Sequence, residues 1–461
     1  MRIRLTSILI IFAMAFTLVC CTRVSDVNDT ATEAETLRKG QSTEAIENSE
    51  SVKTTEAVLV TTEKTSDEST EKTSDESTET NIASEDISEV ATNPPAEITT
   101  EATAEITTEA TAEVIEQNEI KNIILIIGDG MGLDHVAAGQ LASGEQYQFT
   151  SWQSAVCNTD SVNSSGKGGV LTDSAASATA LATGTLTLNG YLGKDHRKKD
   201  LKTILDYAKE SGKAVGIVTT DNIYGATPSG FSAHSADRND SKLITKTQLK
   251  SDVDLFLGLR SDDVYDDFLS DFGKVGYYYS NFIVDMEYAL TQEKVFMAVD
   301  IEVSGTDGIS LSDAAAFAID FLEEDEDGYV LIIEQAYIDK CSHNNDFAGM
   351  IKRMDSLADT VDTVIDWIGD RNDTAVLVTA DHETGGLAVS SSPVLSGEYQ
   401  GEDRTVYYTW GTGNHTDSNV GLFVYGFSPD FSDLEWYGSE YMIKNTEVFT
   451  LMMGLLGEAE E

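Results

Sequence analysis

The sequence predicts an α/β fold built on a doubly wound, mostly parallel central sheet with helices on both faces. Two observations carry that expectation. Short apolar runs at residues 123–127, 215–218, 330–333 and 375–378 show no alternation with polar residues, as expected of strands buried on both faces. Between the last two runs, Ile351, Met354, Leu357, Val361, Val364, Ile365 and Ile368 recur at helical spacing, which predicts a helix over 347–367 with its apolar stripe on the sheet. Strand and helix signals alternate across the C-terminal three quarters of the chain, the pattern of a single α/β domain.

Ligands of such sheets bind beyond the carboxyl ends of the strands. Each apolar run leads into polar residues at that end. They are Asp129 after the first run, Thr219 to Asp221 leading into Thr227 after the second, Glu334 after the third, and Asp381 with His382 after the fourth. Residues far apart in sequence are thereby expected to meet at one edge of the sheet.

The folded part is shorter than the 461 residues of the chain. Arg2 and Arg4 precede an apolar run at 5–19 that ends in Cys20 and Cys21, which reads as an export signal too short to span a bilayer. Its end resembles the lipobox of bacterial lipoproteins. Residues 1–21 are therefore expected to form a lipoprotein-type signal peptide with Cys21 the lipidated residue, cleavage one residue earlier at Cys20 being the alternative. Residues 22–118 are Thr, Glu, Ser and Ala with almost no aromatics, and carry short repeats beginning at Glu63 and Glu71, and at Ala96 and Ala104. That composition cannot bury enough apolar surface to offset ordering, so a disordered stalk is expected, leaving 119–461 as the folded domain.

A formal charge of −50 leaves no basic stripe for nucleic-acid phosphates. An anionic substrate would need bound divalent cations to reverse the sign of the field locally. Cys157 and Cys341 remain outside the signal, and a domain of this size does not require a disulfide between them.

Candidate cation ligands gather at the strand ends. Asp381 and His382 are adjacent, Asp339 and His343 are four apart and would share a helical face, and His415 lies in a Gly-Asn-His-Thr loop. Mixed imidazole and carboxylate suits zinc. Any one of these residues alone reads as a surface acid or a hydrogen-bonded histidine; His135 and His196, which lack such company, are read that way. Residues 172–178, Thr-Asp-Ser-Ala-Ala-Ser-Ala, predict a turn opening into an Ala-rich helix that ends near Gly184. Ser174 would then sit at a helix N-terminus, where free N–H groups and a partial charge of roughly +0.5 favour an alkoxide or a phosphate. Without the cation cluster, a serine there would read as a cap.

These motifs together resemble the alkaline phosphatase family. The matching stretches are 122–132, 172–178, Ala226-Thr227-Pro228 with His234 and Arg238, 334–343, 379–386 and 413–416. The resemblance implies hydrolysis of phosphate monoesters through a phosphoserine on Ser174, with two Zn2+ and one Mg2+ per subunit and a homodimer. It places one zinc on Asp339, His343 and His415, and the second on Asp129, Asp381 and His382 beside Ser174. Asp129 would also reach a magnesium held by Thr227 and Glu334. Arg238 would grip two phosphate oxygens as a planar fork, and Lys340 would lie near the phosphate. A zinc-bound hydroxyl is acidified toward a pKa of ~7, so Ser174 needs no histidine base.

Phosphodiesterases and sulfatases share a related core, but Glu334, Asp339 and His343 together with Arg238 resemble the monoesterases more. A non-catalytic surface binding module is the alternative from another class, suggested by the acidic stalk and opposed by the complete ligand set. One departure stands out: Gly225 replaces the acid of the Asp-Ala-Thr-Pro pattern. The expectation is a weakened magnesium site, a Lys340 left without an acid to pair with, and tighter magnesium binding on Gly225→Asp.

Overall fold

The computed structural model describes residues 119–164, 169–302, 308–402, 404–432, 435–437 and 440–457. The expected signal peptide, Cys20, Cys21 and the stalk lie outside the described residues.

Among those residues the central sheet has eleven strands. In chain order they are β1 (Asn122–Gly128), β2 (Gln153–Asn158), β3 (Ala214–Asn222), β4 (Leu255–Leu259), β5 (Tyr278–Ser280), β6 (Val295–Ala298), β7 (Tyr329–Gln335) and β8 (Thr374–Thr379). β14 (Val420–Tyr425), β15 (Glu435–Tyr437) and β16 (Glu440–Lys444) complete it. The spatial order is β15-β16-β2-β14-β8-β1-β7-β3-β4-β6-β5. From β8 to β5 every neighbouring pair is parallel, and β14 joins the sheet antiparallel to both β8 and β2.

The four apolar runs form the heart of this sheet, as predicted. Ile123, Ile124, Leu125, Ile126 and Ile127 are each 0 % exposed, and because successive side chains point to opposite faces, both faces of β1 must be covered. Two groups of helices provide the cover. One comprises α2 (Ser174–Thr183), α3 (Ile204–Glu210), α4 (Ala226–Ser232) and α9 (Asn445–Leu455), and the other α1 (Leu133–Ser143), α6 (Leu311–Leu322), α7 (Tyr337–His343) and α8 (Phe347–Ile368). α5 (Ser241–Gln248) lies beside α4. The predicted helix at 347–367 is α8, one residue longer; Asp346 caps it by accepting from the Gly349 N–H at 3.0 Å.

Parallel register aligns the strand ends. Ile127 of β1 pairs with Glu334 of β7 and with Thr379 of β8, and Thr219 of β3 also pairs with Glu334. Asp129, Glu334, Thr219 and Asp381 therefore share one edge. Two small sheets stand beyond it. β9 (Glu383–Thr384) pairs antiparallel with β13 (His415–Thr416), setting His415 opposite Thr384. β10 (Leu387–Ser390), β11 (Gly397–Gln400) and β12 (Thr405–Trp410) form the other, and neither sheet was evident in the sequence pattern.

Candidate active site

The turn before α2 solves a local problem of the backbone in a way that frees Ser174. Asp173, not Ser174, is the cap: its Oδ1 accepts from the Ala176 N–H at 3.0 Å. Ser174 is consequently the first residue of the helix, with its hydroxyl unused by capping. The helix ends on Gly184 at φ 65°, a left-handed conformation that favours glycine. The second carboxylate oxygen of Asp173 accepts from the Gly190 N–H and from Arg238 Nη1, each at 3.0 Å. Arg238 is thus held beside Ser174 by the same side chain that starts the helix.

Ser174 Oγ lies 3.2 Å from His382 Nε2. The same nitrogen is 3.2 Å from Asp381 Oδ2 and 3.6 Å from Asp129 Oδ1. On the far side, Asp339 Oδ1 accepts from Thr384 Oγ1 at 2.5 Å and stands 3.3 Å from His343 Nε2 and 3.7 Å from His415 Nε2. The His382 and His415 rings stack with centroids 3.6 Å apart. The ligand atoms form two groups that meet at Asp339: Asp339 with His343 and His415, and Asp129 with Asp339 and His382. The first is the expected set; in the second, Asp339 stands alongside Asp129 and His382, with Asp381 touching His382.

Backbone acceptors fix the outer histidines. His343 Nδ1 is 2.8 Å from the Gly413 carbonyl, and His415 Nδ1 is 2.8 Å from that of Thr172. A carbonyl only accepts, so each Nδ1 carries the hydrogen and each Nε2 lone pair faces the cluster, the tautomer a metal ligand needs.

The electrostatics point the same way. Asp129 is held well above the usual carboxylate range by burial and then by Asp381, Asp339 and Glu334. Burial also raises Asp381 to about 6 and, together with Asp221, Glu334 to about 7. His382 is pushed well below its ordinary value by burial and by His415. Asp129 Oδ1, Asp381 Oδ2 and Thr227 Oγ1 are buried without a hydrogen-bond partner. Buried acids crowded together and orphaned oxygens are costly in a protein unless cations complete them. The residues present therefore fit the cations that the resemblance implies.

The third group lies on the β3 side. Thr219 Oγ1 donates to Glu334 Oε2, and Thr227, the second residue of α4, is 1 % exposed. Lys340 corrects an expectation: it has an acid after all, its Nζ lying 2.7 Å from Asp221 Oδ1 and above the Tyr337 ring. Burial, the largest single influence, would lower the ammonium's pKa, but Asp221, Tyr337 and Glu334 together raise it.

His135 and His196 stand apart from the cluster, as read from the sequence. His135 is fully buried, accepts from the Gly132 N–H at 3.2 Å through Nδ1 and meets Ser342 Oγ at 3.0 Å through Nε2. His196 is exposed and meets Arg197 Nε. His234 meets the Leu201 carbonyl at 2.8 Å. Cys157 and Cys341 are both free. Sequence reasoning assigned no role to Asp173, Thr384 or Asp221. Only Asp173 carried a usable signal, as a capping residue directly before the nucleophile candidate.

Comparison with known proteins places these features in context. The family model described as alkaline phosphatase matches residues 120–256 and 285–442. The chain is 30% identical over 298 residues to alkaline phosphatase 3 of Bacillus subtilis, covering 61% of this chain and 64% of that protein. Alkaline phosphatase 4 of the same organism is 28% identical over 303 residues, with 60% and 64% covered. The chain thus spans somewhat less than two thirds of the length of these relatives. Among solved structures, a cold-active alkaline phosphatase from a psychrophilic Shewanella aligns with a TM-score of 0.64 at 27% identity, covering 73% of this chain and 99% of that one. The enzyme from the Antarctic bacterium TAB5 aligns with a TM-score of 0.65 at 24% identity, covering 74% and 99%, and supports the fold alone.

Proposed function

The chain belongs to the alkaline phosphatase family, and from that premise we propose that it hydrolyses phosphate monoesters to an alcohol and inorganic phosphate through a phosphoserine on Ser174. The observation that carries this reading is an uncapped serine at the first position of α2, its Oγ 3.2 Å from His382 in a cluster of buried ligands.

Asp339, His343 and His415 would hold one zinc, and Asp129, Asp381 and His382 the second. Asp129, Thr227 and Glu334 would hold a magnesium. When bound, these cations supply the positive charge that lowers the proton affinity of the serine hydroxyl and stabilises the leaving oxygen.

Arg238, fixed by Asp173, offers two N–H groups to the non-bridging phosphate oxygens. Ser174 Oγ attacks phosphorus in line as the bond to the ester oxygen breaks, and that oxygen leaves as the alcohol once protonated. Free N–H groups of the first turn of α2 face the developing charge on the phosphoryl oxygens. Water then attacks phosphorus from the vacated side, the Oγ–P bond breaks, phosphate departs and Ser174 recovers its proton.

The test is a direct comparison of an aryl phosphate monoester with the corresponding diester on metal-loaded protein. A monoester preference supports the reading. A strong diester preference would replace it with a phosphodiesterase, and no turnover of either ester would favour a binding module. Small phosphorylated compounds as substrates, a homodimer, and export with anchoring through Cys21 complete the proposal. Mass analysis of the mature N-terminus and sedimentation analysis check the last two.

A further inference from the structure

The pocket around Glu334 contains a carboxylate that the sequence pattern puts elsewhere. Gly225 caps α4 and has no side chain to offer. A Cβ built there would lie 2.8 Å from the Asn222 carbonyl oxygen, 3.1 Å from Asp221 Oδ2 and 3.4 Å from Asp221 Cγ. The space a side chain at 225 would enter is thus already taken by the Asp221 carboxylate.

The end of β3 puts Asp221 there. Thr219 donates to Glu334 across the β3–β7 pair, and beyond it the register of β3 with β4 shifts between Val218 and Asn222, the stretch that contains Asp221. The Asp221 N–H also donates to Thr219 Oγ1 at 2.9 Å, which fixes the turn out of the strand. One carboxylate oxygen of Asp221 holds Lys340 Nζ at 2.7 Å, and the other lies toward Gly225 at the start of the helix carrying Thr227. An independent observation adjoins it: Thr227 Oγ1 and Asp129 Oδ1, 1 % and 7 % exposed, are buried without a hydrogen-bond partner.

We propose that Asp221 is the positioning residue of this third cation pocket, holding Lys340 and accepting hydrogen bonds from the water shell of a magnesium bound by Asp129, Thr227 and Glu334. It does from the end of β3 what an acid at position 225 would do from the start of α4. The inference rests on the ligand set proposed above and extends it to a residue that touches neither phosphate nor the reacting atoms. Magnesium keeps several waters, so an outer carboxylate orients the shell and contributes affinity without being a ligand.

The experiment uses the full chain, zinc-loaded and stripped of magnesium, with thermal midpoint followed against added magnesium and zinc content measured in parallel. Asp221→Asn preserves shape and removes the charge. It is expected to raise the magnesium midpoint about tenfold or more while zinc content stays at the parent value. Gly225→Asp alone is expected not to lower the midpoint, because its carboxylate would face that of Asp221. The double variant Asp221→Asn/Gly225→Asp is not expected to recover the loss, because a Cβ at 225 would still lie 2.8 Å from the Asn222 carbonyl oxygen. An unchanged midpoint in Asp221→Asn, or no magnesium response in the parent, overturns the proposal. A parent that binds magnesium with the expected dependence on Asp221 yet hydrolyses no monoester would instead sink the functional reading.

Discussion

The two halves of the site are built under different rules. Around Ser174, each ligand group comes from a rigid strand end or a helix turn and touches its neighbours directly, as in the 3.2 Å contacts of His382 with Ser174 and with Asp381. Around Glu334, by contrast, one acid reaches the pocket from the end of β3 and occupies the space that a side chain at position 225, just before α4, would enter. The difference follows from what each oxygen has to do. A direct ligand must meet a cation at a fixed length and angle, and no other backbone position delivers the same atom. An outer carboxylate only needs to face water and an ammonium, so several positions suffice.

That contrast is sharpest if broken at its centre. Ser174→Ala is expected to lower turnover by at least ~1,000-fold, since it removes the proposed nucleophile from a unit whose members act together. Folding and zinc content should not change, because Ser174 does not cap its helix. Acid quench with labelled substrate should find phosphate on Ser174 in the parent; label on another residue would remove the serine mechanism. Asp339→Asn comes next. It is proposed to hold one zinc and lies beside the Asp129–His382 group without being a ligand there, so zinc content should fall by about one per chain and activity by on the order of 100-fold or more. Loss of both zincs would show that the two groups are joined through Asp339.

Arg238→Ala should have a smaller effect, roughly 10- to 100-fold in kcat/KM, the worth of charge-assisted hydrogen bonds at about 1.5–3 kcal/mol. Arg238→Lys should recover little of it, because a point charge does not reproduce a planar fork. A Lys variant equal to the parent would reduce Arg238 to an ion-pair partner of Asp173.

Much of this site could be read in the sequence, for physical reasons. Asp129, Asp381 and His382 sit immediately after buried strands and Glu334 near the end of one, and unbroken apolar runs such as 123–127 locate those strands without ambiguity. The β9–β13 pair that brings His415 against Thr384 was not legible, because two-residue strands carry no periodicity. Asp221 was visible only as one polar residue in a cluster. Its role depends on its carboxylate occupying the space beside Gly225, a relation that exists only in three dimensions.

Removing the cations tests the comparison thermodynamically. In chelated protein, burial leaves Glu334 titrating near about 7 and Asp381 near about 6, against ordinary values of 4.5 and 3.8. Both are raised in the folded state, so the folded chain binds more protons than the unfolded chain across that window. Their contribution to stability is fully present below the ordinary values and is lost as pH rises through 6 to 7. The thermal midpoint of chelated protein should therefore fall by on the order of a few °C between mildly acid and mildly alkaline buffer, and the cations should abolish the fall. A flat profile in chelated protein would mean that the acids are not crowded in solution.

The smallest effect concerns the helix that serves both halves. α7 carries Asp339 and His343 toward one group, Lys340 toward the other, and Cys341 away from both, against Gly349 of α8. Because Cys341 is half-buried and bonded to no other sulfur, Cys341→Ser should change stability by less than about 1 kcal/mol and activity by less than twofold. Burial raises both thiols, but Cys157, fully buried within β2, is pushed up to about 12, so the smaller barrier to alkylation is at half-buried Cys341. Alkylation of native protein should label Cys341 first and Cys157 only on unfolding, and a reductant should leave the thermal midpoint unchanged. If Cys341→Ser instead cost both zinc and magnesium, then packing behind α7, and not the separate chemistry of the two halves, would be what fixes the ligands in place.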